Sequence, residues 1–174
     1  MVRIALAVVL VVASISPARA ERGNVLITGE SLGRIRIGAT RDDVFRVYRD
    51  HQIVEVDLRR GRQPSPALRI VREGRALVTA ELAGDGRVQR LSTTNAVFHT
   101  RDRIKVGSPM RRVQSVYGTP DIVILDGRVL AVYRAGAGTI GFEFDVPASP
   151  ALDRIPPERD VTRIVVLGRA HPAS

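Results

Sequence analysis

Two stretches of the chain share one arrangement of hydrophobic and polar positions. Residues 34–48 read RIRIGATRDDVFRVY, and residues 103–117 read RIKVGSPMRRVQSVY. In each stretch polar and apolar residues alternate up to a glycine, which predicts a short strand followed by a break. Val44, Val47 and Tyr48 then recur at the i, i+3 and i+4 spacing of one buried helical face. The matching residues of the second stretch are Val113, Val116 and Tyr117.

The residues around each predicted helix supply start and stop signals. Thr40 stands three residues before Asp43, the spacing of a capping box. Ser108 is predicted to cap the second helix, with Pro109 at its first position. Gly118 follows the second helix and is predicted to end it.

Each predicted helix is followed by four short segments of alternating pattern, which predict antiparallel strands joined by glycine turns. The segments are 53–58, 67–71, 76–82 and 87–92 in the first half, and 121–126, 128–133, 139–145 and 161–167 in the second. The sequence therefore predicts an α+β fold of two tandem helix-plus-antiparallel-meander units, residues 21–100 and 101–174. Residues 24–29 are predicted to add one strand in front, residues 147–160 a long loop, and the chain after Leu167 a mobile tail.

The first twenty residues have the pattern of a secretory signal peptide. Arg3 gives a positive start, residues 4–15 are apolar, and residues 18–20 read Ala-Arg-Ala, a cleavage pattern. The apolar run is shorter than the roughly 20 residues that span a bilayer, so a retained anchor is the less favoured alternative. No later segment is apolar enough to span. We therefore expect a mature chain from Glu21, located in the periplasm or secreted.

Charge and cysteine content narrow the function classes. The chain has 27 Lys and Arg against 18 Asp and Glu, a formal charge of +9, and no cysteine. A basic exported protein meets anionic lipids, wall polymers and acidic proteins, so nucleic acid is not an expected partner. Without cysteine there is no disulfide framework, thiolate metal site, cysteine nucleophile or lipidation site. We expect no lipid anchor.

The glycine-rich stretch 136–141, GAGTIG, matches the dinucleotide-binding fingerprint G-x-G-x-x-G. That fingerprint binds a pyrophosphate only when a helix starts at the glycines. Here the glycines lead into residues 139–145, which alternate as a strand does. The sequence therefore predicts a hairpin turn, and no cofactor is expected.

Histidines and paired acids give no pattern of catalysis or metal binding. His51, His99 and His171 lack a second ligand at a metal-binding spacing, and no nucleophile motif accompanies them. We expect each to be exposed or to cap a helix. Asp42 and Asp43 suit the first turn of a helix. The second acidic pair, Glu143 and Asp145, is predicted to lie on the outward face of a strand.

Arginine clusters are the remaining candidates for a partner-binding site. Arg59, Arg60 and Arg62 lie in a predicted loop, and Arg111 and Arg112 lie near the start of the second helix. Positive charge there opposes the helix dipole, so an anionic partner is a reasonable hypothesis. The alternative is that all five are ordinary solvated arginines.

Three segments carry a resemblance to a known family. They are residues 67–95, residues 102–118 (DRIKVGSPMRRVQSVYG) and residues 161–169. They resemble a bacterial domain of unknown function typified by an enterobacterial lipoprotein under envelope-stress control. The helix-plus-sheet phrase is also similar to units of BamE and of beta-lactamase inhibitory protein. The resemblance implies an envelope protein and supplies no catalytic residues. The chain departs from the lipoproteins because it has no cysteine.

These observations predict a non-enzymatic exported protein that binds another envelope component, either a protein or an anionic polymer. A small-ligand or polyanion binder is the alternative, and a hydrolase is the third. A deep pocket that joins His51 or His99 to a carboxylate would favour the enzyme, whereas a shallow exposed patch would favour a binding partner.

Overall fold

A computed structural model describes residues 25–60, 63–149 and 154–167 of the chain. The predicted signal peptide, Arg62 and His171 lie outside the described residues.

The described residues form twelve strands and two helices. In chain order they are β1 (Leu26–Ile27), β2 (Ser31–Leu32), β3 (Ile35–Arg36), α1 (Arg41–Val47), β4 (Gln52–Arg60), β5 (Gln63–Arg72), β6 (Arg75–Leu82), β7 (Val88–Thr93), β8 (His99–Thr100), α2 (Met110–Tyr117), β9 (Asp121–Leu125), β10 (Arg128–Ala135), β11 (Gly138–Phe144) and β12 (Val161–Leu167).

Eight of the strands form one antiparallel sheet in the order β4-β5-β6-β7-β12-β11-β10-β9. β7, the fourth strand after α1, pairs with β12, the fourth strand after α2, with Leu91 opposite Val166. The fold is therefore α+β, and the strands of the two halves form a single continuous sheet. The division at residues 100 and 101 stays a prediction.

A second, smaller sheet has the order β3-β2-β1-β8, in which β1 and β8 run parallel. Residues 35–36 form a strand as predicted, but the corresponding residues after Arg103 do not. Lys105 makes only an isolated bridge to His99, and the backbone turns at Gly107, where φ is +86°. The prediction of a second lead-in strand was therefore wrong.

The start of α1 agrees with the sequence pattern. The Thr40 side chain accepts a hydrogen bond from the Asp43 amide, and the Asp43 carboxylate accepts one from the Thr40 amide. Because this capping box satisfies free amides of the first turn, the helix begins at the predicted place. Val44 and Tyr48 then point into the core.

The start of α2 differs from the prediction. Pro109 is the N-cap and makes no side-chain cap, while the Ser108 hydroxyl accepts from the backbone of Lys105 instead. The amides of Met110 and Arg111 donate to the carbonyls of Arg159 and Pro157. The described part of the long loop therefore caps this helix through its backbone.

The hydrophobic core lies between the large sheet and the two helices. Val44 of α1 and Val113 of α2 are both buried, as the helical spacing predicted. From the sheet, alternate residues of β10, β11 and β12 face the same core, as do those of β5 to β7. The core residues of these strands include Leu68, Ile70, Val78, Ala80, Leu91, Val129, Ala131, Tyr133, Ile140, Phe142, Phe144, Ile164 and Val166.

The opposite face of the sheet carries buried charge. Glu143 is buried, and its two carboxylate oxygens accept hydrogen bonds from Arg128 at 2.9 Å and Arg163 at 3.1 Å. Glu143 lies on the face of the sheet that points away from the core, as predicted. The prediction was wrong about exposure, because the side chain is buried there. Long arginine side chains from neighbouring strands lie beside its carboxylate and compensate its charge.

The glycine-rich stretch forms the turn between β10 and β11, as predicted. Gly136 has φ of +64°, a conformation that favours glycine. β11 begins at Gly138 and pairs with β10 along its whole length. Strand geometry at the glycines is incompatible with the helix start that a pyrophosphate requires.

Tyr133 is expected to make the protein sensitive to alkali. Burial raises the pKa of its phenol from 10.0 to about 12. Above pH 10 the unfolded chain ionises this group while the folded chain does not, so stability is lost as the pH rises from about 10 to about 12. Denaturant unfolding across this range should show a smaller loss for Tyr133→Phe than for the wild type. Equal losses in the two proteins would contradict this assignment.

Candidate binding site: an arginine-rimmed cavity

The five arginines singled out from the sequence lie apart from one another. Arg59 is exposed near the end of β4, an edge strand, and the backbone of Arg60 ends that strand. Arg111 and Arg112 are exposed on the first turn of α2. That helix packs through Tyr117 against β10 and β11, near the other end of the sheet. The two groups do not form one cluster.

The dipole argument for Arg111 and Arg112 is also weakened. The first amides of α2 already donate to loop carbonyls, so the start of the helix offers no free amides at Met110 and Arg111 to an anion. Among the described residues neither arginine forms an ion pair. Their role in binding a partner stays a prediction.

A different group of residues surrounds a cavity of about 470 Å³. We call it the arginine-rimmed cavity. Four separate segments line it: the turn between β2 and β3, the residues after α1, the turn between β5 and β6, and the β7–β8 connection. Val25 and Leu77 add apolar walls. These segments are far apart in sequence, and only the fold brings them together.

Three arginines give this cavity its charge. Arg34, Arg72 and Arg75 line it and are exposed, together with one acid, Glu73. Glu73 forms an ion pair with Arg72, Nε to Oε1 3.5 Å. Among the described residues Arg34 and Arg75 form no ion pair. The rim therefore has a formal charge of +2, from three arginines and one glutamate, and it favours an anionic group.

The walls of the cavity are apolar in part. Phe98 is buried, whereas its neighbour Val97 is 49% exposed. Among the large hydrophobic side chains described as exposed, Val97 has the largest exposed fraction. Val97 therefore places an apolar side chain at the mouth of the charged cavity, where a ligand could contact both.

Tyr48 and His51 form the polar wall. Their rings meet edge to face, with centroids 5.1 Å apart. Burial raises the pKa of the Tyr48 phenol, and a backbone hydrogen bond and the charge of Arg34 oppose that rise. The Nδ1 atom of His51 is buried and has no hydrogen-bond partner among the described residues. A buried polar atom without a hydrogen bond lowers the stability of a protein by about 1–3 kcal/mol. Binding of a polar ligand that forms a hydrogen bond with this atom would therefore be favoured.

The histidines differ from the expectation that each is exposed or caps a helix. His51 is half-buried and not exposed. Its backbone amide donates a hydrogen bond to the Tyr48 carbonyl just after α1. His99 is also half-buried, with Nδ1 at 2.9 Å from the Thr100 carbonyl and Nε2 at 3.4 Å from Arg103. Neither ring is simply solvated.

His51 and Glu73 line the same cavity, which is the arrangement that would favour a hydrolase. The Glu73 side chain is 82% exposed and pairs with Arg72, so it lies at the rim and not beside a buried base. The described lining contains no serine, threonine or cysteine to act as nucleophile. In the described part of the chain, no group of three or more His, Cys, Asp and Glu residues could hold a metal ion.

Two other cavities are less suited to binding an anionic ligand. One of about 300 Å³ lies on the face opposite the helices, between Arg69, Glu81 and Arg163. Its buried acid, Glu81, faces Arg90 at 3.8 Å, so its charges are largely internal. Another of about 440 Å³ is lined almost entirely by charged residues near Asp160. The first also has apolar walls, among them Leu58 and Val78, but its described lining lacks the exposed arginines without an ion pair that mark the arginine-rimmed cavity.

Sequence reasoning identified one residue of the arginine-rimmed cavity, His51, as a possible site residue. Two signals in the sequence could have found more. Val97 is a large apolar residue in a connection between strands, and Arg72 and Arg75 flank a tight turn at Glu73 and Gly74. Neither signal gives the position of Arg34 beside them.

Across the described residues, none of the helices has the length and apolar character needed to cross a bilayer.

Comparisons with known proteins give a fold neighbour and no family. No family model matches the sequence, and no curated protein matches it significantly. The crystal structure of the uncharacterized protein YfeY from Escherichia coli is similar, with a TM-score of 0.56 and 12% identity. The match covers 82% of this chain and 99% of that one. The chain therefore shares its overall fold with an enterobacterial protein, in agreement with the broader part of the resemblance seen in the sequence.

Proposed function

We propose that the protein is an exported, non-enzymatic binding protein that holds an acidic segment of another envelope protein in the arginine-rimmed cavity. The observation that carries the proposal is the combination at one mouth of three exposed arginines and one exposed valine. Arginine recognises carboxylates through paired hydrogen bonds. Val97 gives the same ligand an apolar contact.

The dimensions of the cavity favour a protein segment over an anionic polymer. A volume of about 470 Å³ lies at the lower end of the range for small-molecule sites, and suits one or two side chains. A polymer such as a wall polyanion would instead be matched by a long stripe of basic residues. The rim charge is concentrated at Arg34, Arg72 and Arg75, around an apolar interior.

Export and architecture belong to the same proposal. The signal-peptide pattern at residues 1–20 supports a periplasmic or secreted location. The duplicated phrase supports an origin from two tandem helix-and-meander units, since α1 precedes four strands of the large sheet and α2 precedes the other four. A relationship to BamE-like or inhibitor-like units, which act through protein contacts, is part of this proposal.

The experiment measures fluorescence anisotropy of labelled peptides with the purified protein. The probes are acidic hexapeptides that carry one leucine, and matched peptides in which Gln and Asn replace the acids. We expect the acidic peptides to bind more tightly, and their affinity to fall with added salt because exposed charges are screened. Replacing Arg34, Arg72 and Arg75 by Gln should weaken binding at least about tenfold, or about 1.4 kcal/mol.

A charge-matched variant serves as the control. Substitution of Arg59, Arg111 and Arg112 by Gln removes the same number of charges from exposed positions outside the cavity. We expect this variant to bind the acidic peptides nearly as well as the wild type. Loss of binding in this variant, with the cavity variant unaffected, would reject the cavity and favour the five arginines predicted from the sequence. Preference for anionic lipid vesicles over acidic peptides would reject a protein ligand.

A further inference from the structure

Among the described residues, neither edge strand of the large sheet pairs with a further strand, and the two edges differ in character. β4 forms one edge and β9 forms the other. β9 consists of residues Asp121–Leu125, DIVIL, and its Val123 and Ile124 side chains are 41% and 42% exposed. An edge strand presents unpaired backbone groups to any strand that approaches it. What differs between the two edges is how each is protected.

The β4 edge has the charged residues that normally prevent pairing with another chain. Glu55 forms an ion pair with Arg41 of α1, and Asp57 and Arg59 are exposed on the same strand. β9 has no charged residue between Asp121 and Asp126, and it contains no proline or glycine. An edge of this kind, with three consecutive β-branched residues and its charge only at one end, readily pairs with another strand.

We propose that β9 is a self-association surface, on which a second copy of this chain pairs its own β9 in antiparallel orientation about Val123. The occupant follows from the pattern of the strand. With Val123 opposite Val123, Ile122 lies opposite Ile124, and Asp121 lies opposite Leu125. The three central residues, Ile122, Val123 and Ile124, then meet apolar partners. Only Leu125 faces a charged residue, and the two Asp121 carboxylates stay at opposite ends of the pair.

This arrangement also fits the rest of the fold. A two-fold axis at Val123 makes the contact closed and isologous, so it produces a dimer and not a fibre. The two eight-stranded sheets would form one continuous sheet. Pro120 before the strand and the turn at Asp126 and Gly127 after it limit the pairing to about five residues. Because the contact is small, the dimer should form reversibly and depend on concentration.

Cysteine cross-linking tests both the surface and the register. The chain has no cysteine, so one introduced thiol reports only on its own copy across the interface. In antiparallel pairs, opposing Cβ atoms lie about 4.5–5.5 Å apart, close to disulfide distance. Val123→Cys should therefore form a covalent dimer on mild oxidation. Residue 125 lies four positions from its own copy, about 13 Å, so Leu125→Cys should remain largely monomeric.

A matched position on the other edge completes the test. Val54 on β4 is 37% exposed, similar to Val123, and Val54→Cys should not form a dimer. Sedimentation velocity should show a concentration-dependent dimer for the wild type and for Val54→Lys, but a monomer for Val123→Lys. A wild type that is monomeric at all concentrations, or cross-linking that is equal at Val54 and Val123, would overturn the proposal.

Discussion

Replacing Gly138 by alanine is expected to destabilise the protein by about 3 kcal/mol or more. A Cβ atom at Gly138 would lie closer than 3.0 Å to the backbone oxygen and carbon of Gly29, and a Cβ at Gly29 would meet the backbone of Ala135 in the same way. Both glycines are buried. Because the neighbouring atoms are backbone and not flexible side chains, the clash can be relieved only by separating β11 from the turn after β1.

The measurement is chemical denaturation of Gly138→Ala, Gly29→Ala and the double variant. The free energy of unfolding should fall by similar amounts in the two single variants. In the double variant it should fall by clearly less than the sum of the two, because both substitutions disrupt the same contact. Gly84→Ala is the control, since a Cβ there meets nothing within 4 Å and the backbone is not in the positive-φ region. A Gly138→Ala protein as stable as Gly84→Ala would show that the two backbones are not in contact.

Truncating Phe142 to alanine is expected to cost about 3–5 kcal/mol, a large share of the roughly 5–15 kcal/mol that stabilises a typical domain. Phe142 on β11 is completely buried. Its ring lies 5.6 Å from that of Tyr117 on α2 and 5.9 Å from that of Tyr133 on β10. Loss of the ring would leave a cavity where helix and sheet meet. The midpoints of thermal and of denaturant unfolding should therefore both fall strongly.

Phe45→Ala provides the comparison for Phe142→Ala. Phe45 lies on α1 with 38% of its surface exposed, and its ring contact is with the side chain of Arg41. We expect its truncation to cost about 1 kcal/mol or less, since little buried area is lost. Similar losses at Phe45 and Phe142 would contradict the placement of Phe142 at the centre of the core.

The sequence was sufficient to predict features that depend on local patterns. Helical spacing placed Val44 and Val113 in the core, and the glycine turns separated the strands of the large sheet. The capping box of Thr40 and Asp43 is a contact over three residues, so its signal lies within one short segment. Local propensity and tertiary structure agree in these places.

Features formed by distant segments could not be predicted in this way. The pairing of β7 with β12 is between strands about seventy residues apart, and no local pattern specifies it. The carbonyls of Pro157 and Arg159 replaced the side-chain cap expected from Ser108. The contact of Gly29 with Gly138 needs close backbone approach, whereas Gly138 in the sequence suggested only a turn.

The candidate binding site is likewise formed by distant segments, so local sequence patterns did not predict it. Arg111 and Arg112 attracted notice because they are adjacent in sequence, but adjacency does not create a cavity. Arg34, Arg72 and Arg75 come from two turns that the fold places around one mouth. A binding site assembled from four segments is visible only when their positions in space are known.

The most direct test of the central claim is the location of ligand contacts by NMR. An acidic leucine-containing hexapeptide would be titrated into isotope-labelled protein, and amide shifts followed by residue. We predict that the largest shifts occur at residues 48–51, 72–77 and 95–98, which line the arginine-rimmed cavity. Shifts confined to the first turn of α2 or to the β4–β5 hairpin would contradict the account, as would the absence of saturable shifts.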